Sequence, residues 1–169
     1  MNNNLQQFLG ALHWLALFAF SFYGLLLNKN RFDKVYLIIT VLWLISINLL
    51  KGECWWSYLI KVYKNSNYEA GSNIMNLDDM NLNNKLLKKI LDKHSSKIFL
   101  TFFVIYSYSL YIVSRRIGFN SLFPLILSIL LLANMLFYRT TIDNEYLHTT
   151  LRYGFVIIFS WFGINIIKK

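Results

Sequence analysis

The chain has 169 residues, of which 56% are hydrophobic, 18% aromatic and only 15% charged, with a mean hydropathy of +0.42. A soluble domain carries about 25% charged residues, so this composition excludes an ordinary water-soluble fold. The length also leaves no room for a separate soluble domain beside the apolar segments. A net charge of +9 would point to nucleic acid in a soluble protein. Here the lysines flank apolar runs, which points to headgroups instead, and no nucleic-acid partner is expected.

Five apolar runs extend roughly from Leu5 to Leu27, Val35 to Leu50, Ile98 to Val113, Leu122 to Tyr138 and Leu151 to Ile167. They hold no Asp, Glu, Lys or Arg except Arg152 at the edge of the last. A bilayer core about 30 Å thick is crossed by roughly 20 mostly apolar helical residues. The expected fold is therefore all-α: a membrane-embedded bundle of about five transmembrane helices, forming one integral membrane domain over residues 1–169. The first run is preceded by Met1-Asn2-Asn3-Asn4, without positive charge, and exceeds the apolar stretch of about 7–15 residues in a secretory signal. It reads as a retained first helix.

Between the first two runs, Asn28-Lys29-Asn30-Arg31 is a short basic turn that makes them an antiparallel hairpin. Residues 51–97 form the one polar excursion, with one or two interfacial amphipathic helices expected in it. Trp55, Leu59, Val62 and Tyr63 recur at helical spacing, while Lys61 and Lys64 fall toward another side. That pattern describes a helix in the headgroup layer, with Trp55, Trp56, Tyr58, Lys61 and Lys64 as membrane-interface residues. Asn65 to Gly71 reads as a turn. A second amphipathic helix is expected from about Asp79 to His94, where Leu82, Leu86, Leu87, Ile90 and Leu91 make a stripe and Lys85, Lys88, Lys89 and Lys93 cover the rest. A basic loop, Ser114 to Asn120, joins the third and fourth runs, and Pro124 suits the first turn of a helix. With five spans, the N-terminus, the excursion and the last loop share one side. Its larger lysine and arginine total favours the cytoplasm, whereas charge density on the shorter loops favours the other side, so both orientations stay open. Anionic lipid is the expected partner, with helix-mediated homo- or hetero-oligomers as a second class.

The most distinctive string is Lys51-Gly52-Glu53-Cys54-Trp55-Trp56-Ser57-Tyr58-Leu59. A carboxylate and a thiol at a membrane surface are weak catalytic candidates, with His94 or His148 as the base that a reactive cysteine requires. The plainer reading has Gly52 ending the helix, Glu53 paired with a lysine and Cys54 packed. Followed by Tyr68-Glu69-Ala70-Gly71-Ser72, this string resembles small uncharacterised multi-pass proteins of the kind encoded by giant DNA viruses, over about residues 35–75. It is more distantly similar to a bacterial membrane family of unknown function that carries a Cys-Pro-Leu-Thr element, although here Trp55 stands where that family has proline. Neither resemblance implies an activity.

His13 is the one imidazole well inside a run, and intramembrane ionisable groups are functional candidates. A second haem ligand at matching depth is lacking, and no cofactor is expected. Ser107, Tyr111 and Ser114 fall on one helical face, suited to lining a water path or to gluing helices by hydrogen bonds. No phosphate motif or recognised metal motif is present; Asp143, Glu145 and His148 are close in sequence but weakly spaced for a metal, and none is expected. The preferred reading is a non-catalytic membrane protein with a structural or interaction role. The alternatives are an enzyme or lipid-handling protein using Glu53 and Cys54, and a small transporter or channel.

Overall fold

The computed structural model describes residues 3–72, 85–120, 122–137 and 145–169. Six helices follow in order: α1 (Asn3–Leu26), α2 (Asp33–Leu49), α3 (Trp55–Lys64), α4 (Lys85–Arg116), α5 (Leu122–Phe137) and α6 (Glu145–Lys168), with no strand among the described residues. The all-helical expectation is met. Two of these, over Phe8–Leu26 and Glu145–Lys168, are long and apolar enough to cross a membrane. Helices α2 and α5 have 17 and 16 residues, short of the roughly 20 that span a bilayer core. The apolar part of α4 is diluted by Thr101, Ser107, Ser109 and Ser114. Helix length and composition thus do not by themselves fix five crossings.

The segment expected as a separate amphipathic helix is not separate. Residues 85–116 form one helix of 32 residues, because nothing between Lys85 and Arg116 breaks it: there is no Gly or Pro. The break expected near residue 97 is absent, and residues 79–84 lie outside the described residues. The side chains of Lys85, Lys88, Lys89, Lys93 and His94 also lie outside them; their backbone forms the first turns of α4.

Helix ends follow local chemistry. Asn30 Oδ1 accepts the Phe32 N–H at 2.8 Å, which turns the chain into α2. At the other end of α2, the Gly52 N–H reaches Ile47 O at 2.7 Å and the Lys51 N–H reaches Asn48 O, with Lys51 left-handed at φ 53°. These are the paired bonds of a Schellman closure. Asn120 Oδ1 accepts the Phe123 N–H and starts α5.

Helix α2 is central. Its Leu37, Val41 and Leu44, spaced on one face, are fully or almost fully buried with Leu110, Val113, Leu127, Phe159, Phe162 and Ile166. Packing pairs α2 with α6 and α1 with α4, while α5 rests on α4. Apart from the short α3, successive helices alternate in direction. Lys34 Nζ donates to Ile167 O at 2.9 Å, and Lys169 Nζ lies 5.9 Å from the Phe119 ring, which gathers the α1–α2 turn, the α4–α5 turn and the C-terminus at one end. At the opposite end, Trp56 Nε1 donates to Leu9 O at 3.3 Å, so α3 caps the start of α1.

Three helices are fastened at the turn end by hydroxyls. Tyr36 of α2 donates its hydroxyl to Phe20 O of α1 at 2.9 Å and lies 3.2 Å from Ser109 Oγ of α4. Ser109 Oγ in turn accepts the Gly24 N–H at 2.7 Å. The bridge requires α1 and α4 to approach closely: a Cβ on Gly24 would stand 2.5 Å from Ser109 O and 2.8 Å from its Oγ. Gly24→Ala should therefore cost about 1–3 kcal/mol by overpacking. Gly154→Ala, where a Cβ meets nothing within 4 Å, should be neutral or stabilising by up to about 1 kcal/mol. Thermal unfolding in detergent checks the contrast; equal melting temperatures for the two variants would refute it.

Candidate functional site at the α3 cap

The chain leaving α2 at Lys51 places Glu53 inward, with only 2% of its surface exposed. A buried carboxylate without partners is costly, and this one has three. Lys61 Nζ lies 2.6 Å from Oε1, the Tyr68 hydroxyl donates to the same oxygen at 2.5 Å, and the Gly71 N–H reaches Oε2 at 3.2 Å. Helix α3 supplies Lys61, and the turn expected at 65–71 returns Tyr68 and Gly71 to the start of the cap. Gly71 sits at φ +84° against Lys51, where a Cβ would come within 2.6 Å of the lysine Cβ. Residues 51–72 are thus a closed cap built around one carboxylate.

Lys61, grouped by sequence with the headgroup-facing cations, is turned inward onto Glu53 and is nearly buried. The rest of α3 keeps the outward pattern: Trp55, Leu59 and Tyr63, one turn apart, are exposed, as is Lys64. Trp56 and Tyr58 are half-buried, the first bonded to α1 and the second packed 6.3 Å from the Tyr68 ring.

Cys54 does not join Glu53 in a site. Its Sγ accepts the Trp43 indole N–H at 3.5 Å and faces a cavity of about 470 Å³ below the cap. His13 lines the same cavity, together with Ser46, Trp43, Trp56 and Tyr106. His148 stacks on Phe137, with ring centroids 4.5 Å apart, and is not among the cavity residues. The geometry therefore separates the catalytic candidates. Glu53 is consumed in the cap, Cys54 and His13 share a largely apolar wall, and His148 packs at the start of α6.

The three-residue hydroxyl stripe is also divided. Ser107 is half-buried, Tyr111 is exposed and Ser114 is buried, and none lines the cavity. The interhelical bonds of α4 fall to its neighbours instead: Ser109 to Gly24 and Tyr36, and Tyr106, whose hydroxyl donates to Thr40 Oγ1 at 3.0 Å. Sequence spacing missed this pair because either face of α4 carries hydroxyls, and only the packing decides which is inward.

A second polar knot, absent from the sequence reading, lies at the turn end. Asp33 is fully buried. Tyr23 OH is 3.2 Å from its Oδ1, and Arg116 Nη1 is 4.0 Å from the same oxygen. Arg116 also donates through Nη2 to Gly24 O at 2.7 Å, which satisfies a terminal carbonyl of α1. Among the described residues no group of three His, Cys, Asp or Glu could hold a metal, and Asp143 lies outside them. Comparisons with protein-family models, curated proteins and solved structures find no match to the chain.

Removing one partner from a buried ion pair leaves the other charge uncompensated, at a cost of about 3–5 kcal/mol. Glu53→Ala should therefore open the cap, read as faster protease cleavage at residues 65–72 than in the parent chain. Lys64→Ala, on an exposed lysine, should leave cleavage unchanged. Equal cleavage of all three proteins would contradict the ion-pair account.

Proposed function

We propose that the chain is a multi-pass integral membrane protein with five spans and a non-catalytic structural or interaction role. In this reading α3 lies in the headgroup layer, and the exposed Lys64 and the lysines at the start of α4 meet anionic lipid. The observation that carries it is the distribution of exposed apolar side chains. Leu15 and Phe18 on α1, Ile126 and Ile129 on α5, and Ile157, Trp161 and Ile164 on α6 all face outward. Soluble monomers rarely expose contiguous apolar surface on this scale, whereas lipid solvates it without cost. The alternating helix directions and the inward use of hydroxyls fit the same reading, since unpaired polar groups in hydrocarbon cost several kcal/mol each. The resemblance of residues 35–75 to membrane proteins of giant DNA viruses belongs to the proposal and brings no activity.

The separation of Glu53 from Cys54 weighs against catalysis by that pair. Because Cys54 is the sole cysteine, topology is accessible on a Cys54→Ser background. Single cysteines at Asn67 and at the N-terminal Asn3 should react with an impermeant maleimide from one face of sealed vesicles, and those at Lys29 and Asn120 from the other. Labelling of Asn67 and Lys29 from the same face would overturn the five-span arrangement. Cys54 of the parent chain, packed against the Trp43 indole, should alkylate slowly; a fast reaction at neutral pH would favour the enzyme reading.

A further inference from the structure

Helices α1 and α2 are consecutive and antiparallel, yet they do not pack along their length. At the turn end they are locked: Tyr23 and Tyr36 stack with centroids 4.4 Å apart, and Phe20 lies 5.7 Å from Tyr36. Away from that end each leans on a different partner, α1 on α4 and α2 on α6. The space left between them is the cavity of about 470 Å³. Its floor is Phe102, Phe103 and Tyr106 of α4, and its top is closed by Cys54, Trp55 and Trp56 of the cap. Along α1 it runs from Leu12 to Ser21, which at 1.5 Å per residue is about 14 Å.

Resting on the membrane reading above, we propose that this cleft is a binding site for one acyl chain of a bilayer lipid, admitted sideways between α1 and α2. Three features of the cleft select that occupant. Its rim residues Ile39 and Leu42 are exposed, at 43% and 58%, so the cleft opens laterally onto the apolar face that the same reading places in lipid. Of its small polar lining residues, His13, Ser46 and Cys54 gather near the cap and Ser21 lies at the far end, while aliphatic and aromatic side chains make most of the wall. A chain whose ester sits beneath Trp55 and Trp56, beside His13 and Ser46, and whose tail runs along the apolar wall fits this lining. Size agrees as well. At ~30 Å³ per water-sized group in a liquid, the cavity takes on the order of 15 methylenes, and sites of about 300–1,000 Å³ are usual for small apolar ligands.

The test uses the full chain reconstituted in phosphatidylcholine vesicles whose lipid carries a diazirine midway along one acyl chain, with adducts mapped by mass spectrometry after irradiation. Leu12, Ala16, Leu42 and Phe102 should be labelled about tenfold more than the outward Ile157 and Ile164 of α6, an enrichment equivalent to ~1.4 kcal/mol. Ala16→Trp, which fills the cleft, should lower labelling of Leu12, Leu42 and Phe102 by a similar factor, and Ala19→Trp, outside it, should not. Uniform labelling over α1, α2 and α6 overturns the proposal, as does unchanged cleft labelling in a monodisperse Ala16→Trp protein. If that variant aggregates, the parent map alone decides. Cleft labelling by diazirine-bearing free palmitate but not by the phospholipid would also overturn it, because the source would not be the bilayer. Release of the chain from vesicles at alkaline pH would instead break the membrane reading; retention with uniform labelling breaks only the cleft assignment.

Discussion

A pair of hydroxyls, Tyr36 on α2 and Ser109 on α4, organises the packing of this protein. Between them they meet the Phe20 carbonyl and the Gly24 N–H of α1, so that three helices share one set of hydrogen bonds. In water such bonds would be worth about 1 kcal/mol each. For groups buried between the helices, the alternative is an unsatisfied polar group at a cost of about 1–3 kcal/mol, and the geometry that pairs them is correspondingly favoured. Gly24 is the covalent condition for that contact, since any side chain there would displace the α4 backbone.

Fastening at one end has a consequence at the other. With the tyrosine stack, the Asp33–Arg116 pair and the Ser109 bridge all at the turn end, α1 is held to α4 and α2 to α6. Among the described residues α1 and α2 are not a closely packed pair. The cap closes the opening from above through the Trp56 bond to Leu9 O, and the Glu53 carboxylate keeps the cap itself folded. Two buried carboxylates, Asp33 and Glu53, thus hold opposite ends of the bundle, each through a cation and a tyrosine hydroxyl. The cleft is what remains between two well-determined ends.

Much of this was legible in the residues. Charge-free apolar runs gave helices where helices are found, Asn28 to Arg31 marked the hairpin, and Asn65 to Gly71 marked the returning turn. The plainer reading, with Glu53 paired to a lysine, corresponds to the contact seen, and of the stripe Trp55, Leu59, Val62 and Tyr63 all but the half-buried Val62 are exposed on α3. Less legible was anything decided by long-range packing. Lys61 and Lys64 are three residues apart and chemically identical, yet one seals Glu53 and the other is exposed, a choice made by where the cap folds back. Ser107 and Ser109 likewise cannot be ranked by periodicity, because α4 carries hydroxyls on several faces. The continuity of α4 through residue 97 was hidden by a change of polarity, which alters a helix's solvent without ending its hydrogen-bond ladder.

The Tyr36–Ser109 bridge sets the separation of α1 and α2. Paired spin labels at Ala11 and Leu49, on a Cys54→Ser background, report that separation at the cap end by pulsed electron resonance. A single narrow distance distribution is expected in the otherwise unaltered chain, shifting or broadening in Tyr36→Phe and in Ser109→Ala. Identical distributions in all three proteins would contradict it.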